Sequence, residues 1–465
     1  MTDNEMYETK KIKGIMKNRL RYFVALLVIV LTVGNAYGLS GSWRGELNLG
    51  QMKLPLVFNF SENASGEQQC TLDSPSQGAK GIPATVVLCT ADSLSVTCGA
   101  IGSSYCGRIA SGTITGTFKQ RGYSFSLNLS PEAPVEERRP QTPKPPYPYQ
   151  VIDTVFTAPD GAVMGATLTI PLNASSKKIP AVVMVTGSGP QNRDEELFEH
   201  KPFAVIADYL ARKGIVSLRY DDRGTGQSTG NFVTATTHTF KDDAMGGITF
   251  LRTFPFVGKV GVLGHSEGGT IAFMLGAENK ADFIISLAGM AISGKETLLR
   301  QNSHALDRFG LSEEDKANSL KFIGKGFDVI AEQVRKGVSE PIDIDSLARS
   351  IGVTVIPQIV SSLKMTQQTR TPWFDSFVSL NPRDYLKSIR CPLLAVNGEK
   401  DTQVYPDNLS VIRELVPQAK IMLMPELNHL MQHAVTGEVS EYSEIRETIS
   451  PDVLDAVTQF ILTLK

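Results

Sequence analysis

Three rhythms of apolar and polar positions follow one another along the chain. Residues 22–34 form an unbroken apolar run. Between residues 39 and 130, short β-type runs at 54–60, 84–88, 93–96, 109–118 and 123–129 are separated by Gly, Ser and Asp clusters. That pattern predicts a small antiparallel sandwich or barrel, with no long helical period. From residue 150 the rhythm changes again. Segments 149–156 and 162–170 predict a β-hairpin around Pro159-Asp160-Gly161. Apolar runs at 181–185, 215–220, 283–287, 393–396 and 421–424 predict buried strands, and helices are expected at 203–213 and 240–253. Strands alternating with helices mean an α/β fold with a doubly wound, mostly parallel sheet. Residues 292–380 interrupt the alternation with helical, partly polar sequence. They predict a helical cap over the site, with a peripheral elaboration as the alternative.

The chain divides accordingly into 1–38, a β-rich domain at 39–130, a linker at 131–149 and an α/β domain at 150–465. The linker is rich in Pro and charge, so an extended, semi-rigid spacer is expected. At 465 residues, 42% hydrophobic and 20% charged, the chain can bury a large core. A net charge of −2 gives no basic face and excludes a nucleic-acid binder. Lys10, Lys11, Lys13, Lys17, Arg19 and Arg21 precede the apolar run, and Ala36-Tyr37-Gly38 follows it. This is the layout of a cleaved signal peptide, and the run is short for a membrane span. Export to the periplasm or medium is expected, with a mature chain starting near Leu39. Membrane attachment is expected only if the segment stays uncleaved as a signal anchor. Cys70, Cys89, Cys98 and Cys106 share the β-rich domain. Export makes two disulfides an expectation for them, with all three pairings open and four free thiols as the alternative. Cys391 reads as a core thiol.

The chemistry centres on Gly264-His265-Ser266-Glu267-Gly268, set between an apolar strand-like run and Thr270 to Ala277, which reads as a buried helix. This is G-x-S-x-G in a strand–turn–helix context, which lifts a serine hydroxyl to the top of a sheet. Side chains at 264 and 268 would collide as strand and helix pass, hence Gly264 and Gly268. The Glu267 backbone N–H opens the helix and faces a developing oxyanion.

A serine nucleophile needs a base, and the base needs an orienting acid. His429 follows the 421–424 strand, at the carboxyl edge of the sheet. His304 falls in the cap, His433 reads as a surface histidine, and His265 as packing in the turn. Asp401 follows the 393–396 strand and is the acid, with Glu399 as runner-up. A second oxyanion donor is expected from the loop 185–194, where Ser188 is favoured, Gly189 is the alternative and Pro190 has no N–H. Asp194, Glu195 and Glu196 read as solvated or paired with Arg193. The segment Asp221-Asp222-Arg223-Gly224-Thr225-Gly226-Gln227-Ser228 lacks G-x-G-x-x-G and is expected to brace the rim of the site. No H-E-x-x-H occurs, so neither cofactor nor metal is expected.

With these residues in view, the segment from about 150 to 465 resembles the α/β-hydrolase superfamily. The elbow Gly264-His265-Ser266-Glu267-Gly268-Gly269 and the loop 186–194 (Thr-Gly-Ser-Gly-Pro-Gln-Asn-Arg-Asp) are most similar to the esterase EstD-like group, often labelled with serine aminopeptidase S33-type domains. The resemblance implies cofactor-free hydrolysis of a small-molecule carboxylic ester through Ser266, His429 and Asp401. A serine peptidase is the first alternative. It needs acidic anchors for a substrate amine, for which Glu313, Glu314 or Asp315 in the cap are the candidates. A carbohydrate- or lipid-binding protein with a vestigial hydrolase domain is the second.

Overall fold

The structure is a computed structural model that describes residues 38–48, 53–63, 65–131, 138–172, 174, 178–338 and 340–464. The segment 1–38, read from the sequence as a signal peptide, therefore lies, apart from Gly38, outside the described residues. The chain forms two compact units that divide between Glu137 and Arg138.

In the first unit, among the described residues, strands β1 (Gly41–Asn48), β2 (Lys53–Glu62), β3 (Gln68–Ser74), β4 (Ala79–Cys89), β5 (Ser93–Cys98), β6 (Ser103–Ala110), β7 (Thr113–Gln120) and β8 (Tyr123–Pro131) form a closed antiparallel barrel. Alternate side chains point inward, and Trp43, Phe58, Phe60, Leu72, Ile114 and Leu129 fill the interior. Tyr105 crosses that core, its hydroxyl donating to the carbonyls of Ile114 and Leu127 at 3.1 Å. A Cβ at Gly116 would stand 2.6 Å from the Tyr105 Oη, so the glycine makes room for the ring. The run expected at 109–118 is two strands. Ser111 and Gly112 turn the chain at φ 50 and 75, the left-handed pair a tight hairpin requires.

All five cysteines are free thiols, which corrects the disulfide expectation. Cys70 on β3 pairs with Ala84 on β4, whose next residue pairs with Thr97 on β5. Cys70 and Cys98 thus flank β4, about 10 Å apart at ordinary strand spacing, beyond the ~7 Å reach of a disulfide. Cys106 is exposed, whereas burial pushes the Cys70 thiol up to about 12.

In the second unit, strands β9 (Tyr149–Thr157), β10 (Val163–Pro171), β11 (Ile179–Val185), β12 (Val216–Tyr220), β13 (Val257–His265), β14 (Phe283–Leu287), β15 (Leu393–Gly398) and β16 (Lys420–Met424) form one sheet. Its order is β16-β15-β14-β13-β11-β12-β10-β9, parallel from β16 to β12, with β10 and β9 antiparallel. Strand periodicity sends Val182 and Met184 to one face and Ala181, Val183 and Val185 to the other. Helices α1 (Pro202–Arg212) and α11 (Pro451–Thr463) cover the first face. Helices α2 (Thr237–Leu251), α3 (Glu267–Ala277) and α10 (Asn408–Leu415) cover the second, and the short α9 (Arg383–Leu386) packs there too.

The interruption between β14 and β15 holds α4 (Gly294–Asp307), α5 (Glu313–Lys336), α6 (Ile344–Ser350), α7 (Pro357–Gln368) and α8 (Pro372–Ser379). Ser312 caps α5 by accepting from the Asp315 N–H. The acidic candidates Glu313, Glu314 and Asp315 thus occupy that helix's first turn, where they complement its dipole. The second half of the Pro-rich segment departs from a free spacer. Arg139 is buried and donates to the carbonyls of Phe198, Ser443 and Ile445, and Gln141 accepts from the N–H groups of Thr448 and Ile449. Among the described residues no helix is long and apolar enough to cross a membrane.

Candidate active site

Ser266 sits between the end of β13 and the start of α3 at φ 53 and ψ −117, a conformation an L-residue holds only under constraint. The constraint is close packing of backbone on backbone. A Cβ at Gly264 would lie 1.9 Å from the Gly268 carbonyl oxygen, and one at Gly268 would lie 2.1 Å from that of Val185. The Ser266 N–H donates to the Leu287 carbonyl at 2.8 Å and pins the turn to β14.

His429 and Asp401 reach the serine from the loops after β16 and β15. The His429 Nε2 is 3.1 Å from the Ser266 Oγ, and its Nδ1 is 2.8 Å from an Asp401 carboxylate oxygen. The other Asp401 oxygen accepts from the N–H groups of Gln403 and Val404 at 2.9 and 2.8 Å. Asn397, at the end of β15, donates to the first oxygen at 3.3 Å. The carboxylate is therefore fully engaged and aimed at one imidazole. The alternatives lie elsewhere. Glu399 accepts from the Glu426 N–H on the outside of the loop, His433 pairs with Glu447, and His304 pairs with Glu438.

Gly187 and Ser188 line the same cavity as Ser266, and a Cβ at Gly187 would meet the Ser266 Cβ at 3.2 Å. Among the described residues, neither the Ser188 nor the Glu267 backbone N–H has a protein acceptor. Gly189, the other candidate donor, adopts φ 100 and is absent from the cavity wall.

Sequence reasoning missed a ring of buried polar groups around this arrangement. The Glu267 side chain is buried, and its carboxylate accepts from Thr237 at 2.7 Å, from Ser188 Oγ at 2.8 Å and from the Trp373 indole at 3.0 Å. Burial raises its pKa, and those three donors oppose the rise. One carboxylate thus ties together the loop after β11, the start of α2 and the cap helix α8. His265 is more than turn packing. Its Nδ1 is 2.9 Å from Glu195 Oε1 and its Nε2 is 2.9 Å from the His429 carbonyl oxygen. Both ring nitrogens face acceptors, so the imidazolium is the form that satisfies both. Burial opposes that charge, but the Glu195 carboxylate outweighs it and holds His265 at about 8.

Glu195 is neither solvated nor paired with Arg193. It is buried at φ 52 and also accepts from the Gly187 N–H at 2.7 Å. Arg193 pairs with Asp221 instead, and Asp194 pairs with Arg219. The 221–228 segment braces the site: Asp222 accepts from Thr186 at 2.8 Å and from the Gln191 N–H at 2.9 Å, fixing the loop that carries Ser188. His200 is a further buried histidine in the cavity wall, and burial drives its pKa down to about 4. Trp373 had a legible signal, being one of two tryptophans in the chain. The Glu195–His265 pair had none beyond proximity to the serine.

The cavity above Ser266 has a volume of about 240 Å³. Met290, Leu298, Trp373, Phe377 and Val404 make one wall apolar, and among the described residues the one carboxylate in the lining is Glu195, already engaged. Glu313, Glu314 and Asp315 are not in the lining.

Residues 160–431 match the family model described as X-Pro dipeptidyl-peptidase (S15 family), within the superfamily the motifs resemble. The chain is 27% identical over 298 residues to esterase EstD of Thermotoga maritima, a match covering 62% of this chain and 64% of EstD. It is 33% identical over 57 residues to lipase 3 of Moraxella sp., covering 12% of this chain and 18% of the lipase. The chain thus spans less than two thirds of the length of either relative. Among solved structures it is similar to the Pyrococcus furiosus esterase Pf2001, with a TM-score of 0.42 and 17% identity over 68% of this chain and 91% of that one. Ferulic acid-bound Est1E from Butyrivibrio proteoclasticus gives a TM-score of 0.40 and 17% identity over 67% of this chain and 98% of that one. With more than half of its length matched by the family model, and with a strand–elbow–helix core beneath a helical cap, this chain belongs to the S15 family of α/β-hydrolases.

Proposed function

We propose that the protein is an exported serine hydrolase that cleaves small-molecule carboxylic esters through an acyl-enzyme. Ser266 Oγ attacks the acyl carbonyl as His429 Nε2 takes its proton. Asp401 holds the His429 Nδ1–H and stabilises the imidazolium. The Ser188 and Glu267 N–H groups receive the oxyanion, each contributing about 3 kcal/mol. His429 then protonates the leaving alcohol, and water repeats the sequence to release the acid. The observation that carries this reading is the unbroken run from Asp401 through His429 to the Ser266 Oγ, at 2.8 and 3.1 Å. The export component rests on the sequence of residues 1–38 alone.

The family description favours a second reading, a dipeptidyl-peptidase. A peptidase that removes N-terminal dipeptides must neutralise an ammonium group at the far end of the dipeptide it releases. Among the described residues the one carboxylate lining the cavity is committed to His265 and Gly187, and this tips the balance to esters, in line with the EstD relative. The test is hydrolysis of short p-nitrophenyl esters against X-Pro-p-nitroanilides by the wild type and Ser266→Ala. Ester turnover that Ser266→Ala abolishes supports the proposal. Turnover of the anilides alone would replace it with the peptidase. If neither is cleaved and a fluorophosphonate fails to label Ser266, the serine mechanism is wrong.

A further inference from the structure

The cap contains a second cavity, larger than the one above Ser266, at about 640 Å³. Its size is within the ~300–1,000 Å³ typical of small-molecule sites. Helices α4, α5, α7 and α8 wall it, with Leu306, Ile323, Phe327, Ile359 and Phe374 among the lining side chains. Among the described residues the lining includes no Asp, Glu, Lys, Arg or His; its polar side chains are the neutral Asn302, Gln358, Ser362 and Thr366, so it offers no counter-charge to a charged ligand. Phe309 stands at its wall with 73% of its surface exposed, so the lining reaches solvent.

The two cavities share a wall. Leu298 lines both, and consecutive residues of α8 divide between them, Trp373 facing the reaction cavity and Phe374 the cap cavity. Leu298 also belongs to the apolar clusters on both sides, packing with Ile323 and Phe327 on one and with Met290 and Phe377 on the other. One layer of side chains thus separates Ser266's cavity from a larger apolar space.

We infer that the cap cavity receives the hydrocarbon tail of the ester, making this an enzyme for medium- to long-chain acyl or alkyl esters, an inference that rests on the ester hydrolysis proposed above. The small reaction cavity holds the ester group, and apolar chain beyond it passes Leu298 into the cap. Burial of each further methylene contributes until the cap space is filled.

The test uses two measurements. In the first, p-nitrophenyl acetate, octanoate and dodecanoate are compared on the wild type and on Ser362→Trp, a substitution at an exposed position of the cavity lining on α7. Wild-type kcat/KM should rise at least about tenfold from acetate to dodecanoate. Ser362→Trp should abolish that rise and leave acetate within about twofold. Thr366→Trp, one turn along α7, is the second variant should the first misfold. In the second, binding of a fluorescent long-chain fatty acid to Ser266→Ala is titrated, with and without Ser362→Trp. Saturable binding that the tryptophan removes supports the inference without any turnover. A flat chain-length profile with no saturable binding overturns the cap site and leaves ester hydrolysis standing. Binding without cleavage of any ester keeps the cap site and rejects the ester reading.

Discussion

Replacing Glu195 with Gln isolates one charge at the centre of this arrangement. The Gly187 N–H and the His265 Nδ1 both contact Oε1, which an amide retains, so the contacts survive while the negative charge goes. Wild-type His265 is held at about 8 against its ordinary 6.5. That difference corresponds to about 2 kcal/mol of folding free energy linked to one proton. The sign follows from the direction of the shift. A histidine whose folded value lies above its unfolded one adds stability that is complete below about 6.5 and is lost as the pH rises through about 8. Glu195→Gln leaves His265 buried without its counter-charge, so this contribution disappears. Urea unfolding of both proteins near pH 6 and near pH 9, followed by Trp373 fluorescence in a Trp43→Phe background, measures it. Other titrations cancel in the comparison. The loss between the two pH values should be smaller in Glu195→Gln by about 2 kcal/mol. Equal losses in the two proteins would refute the assignment of the charged pair.

The remaining outcomes concern neighbouring parts of the molecule. Glu267→Ala orphans the fully buried Thr237 hydroxyl and two half-wet donors, and should lower stability by about 1–3 kcal/mol in urea titrations and kcat/KM along with it; unchanged kinetics would free Ser188 from this clamp. Gly268→Ala drives a Cβ into the Val185 and Thr186 carbonyls, backbone that cannot step aside, so the variant should lose soluble expression or most of its activity; a normal yield of active protein would contradict the elbow packing. Thiol titration of the unfolded protein without reductant should find all five cysteines, Cys106 reacting first in the folded state; a deficit before reduction would restore a disulfide.

The α/β unit was legible because its signals are local. Strand runs such as 181–185 and 283–287 need no partner to be recognised, and the elbow glycines encode a backbone collision in sequence. The barrel was only partly legible. β1 reads Gly-Ser-Trp-Arg-Gly-Glu-Leu-Asn, with its apolar side chains sparse and its glycines suggesting a loop, yet pairing along both edges makes it a strand. The ring of buried polar groups was illegible for the same reason. Glu195, Trp373 and the elbow residues His265 and Glu267 are brought together from three segments, and only the folded chain tells a clamped carboxylate from a solvated one.

Closure of the N-terminal barrel decides how that unit can meet other molecules. β1 pairs with β2 along its length and with β8 at Trp43 and Arg44, which closes the ring. A closed ring has no terminal strand for a visiting peptide to extend, so recruitment falls to side chains on the outer wall. The same closure makes its N-terminal border sharp. Leu39 is already in the core, and β1 starts at Gly41. Processing at the proposed site leaves the ring whole, whereas a cut only a few residues later would unzip β1 and turn β2 and β8 into adhesive edges.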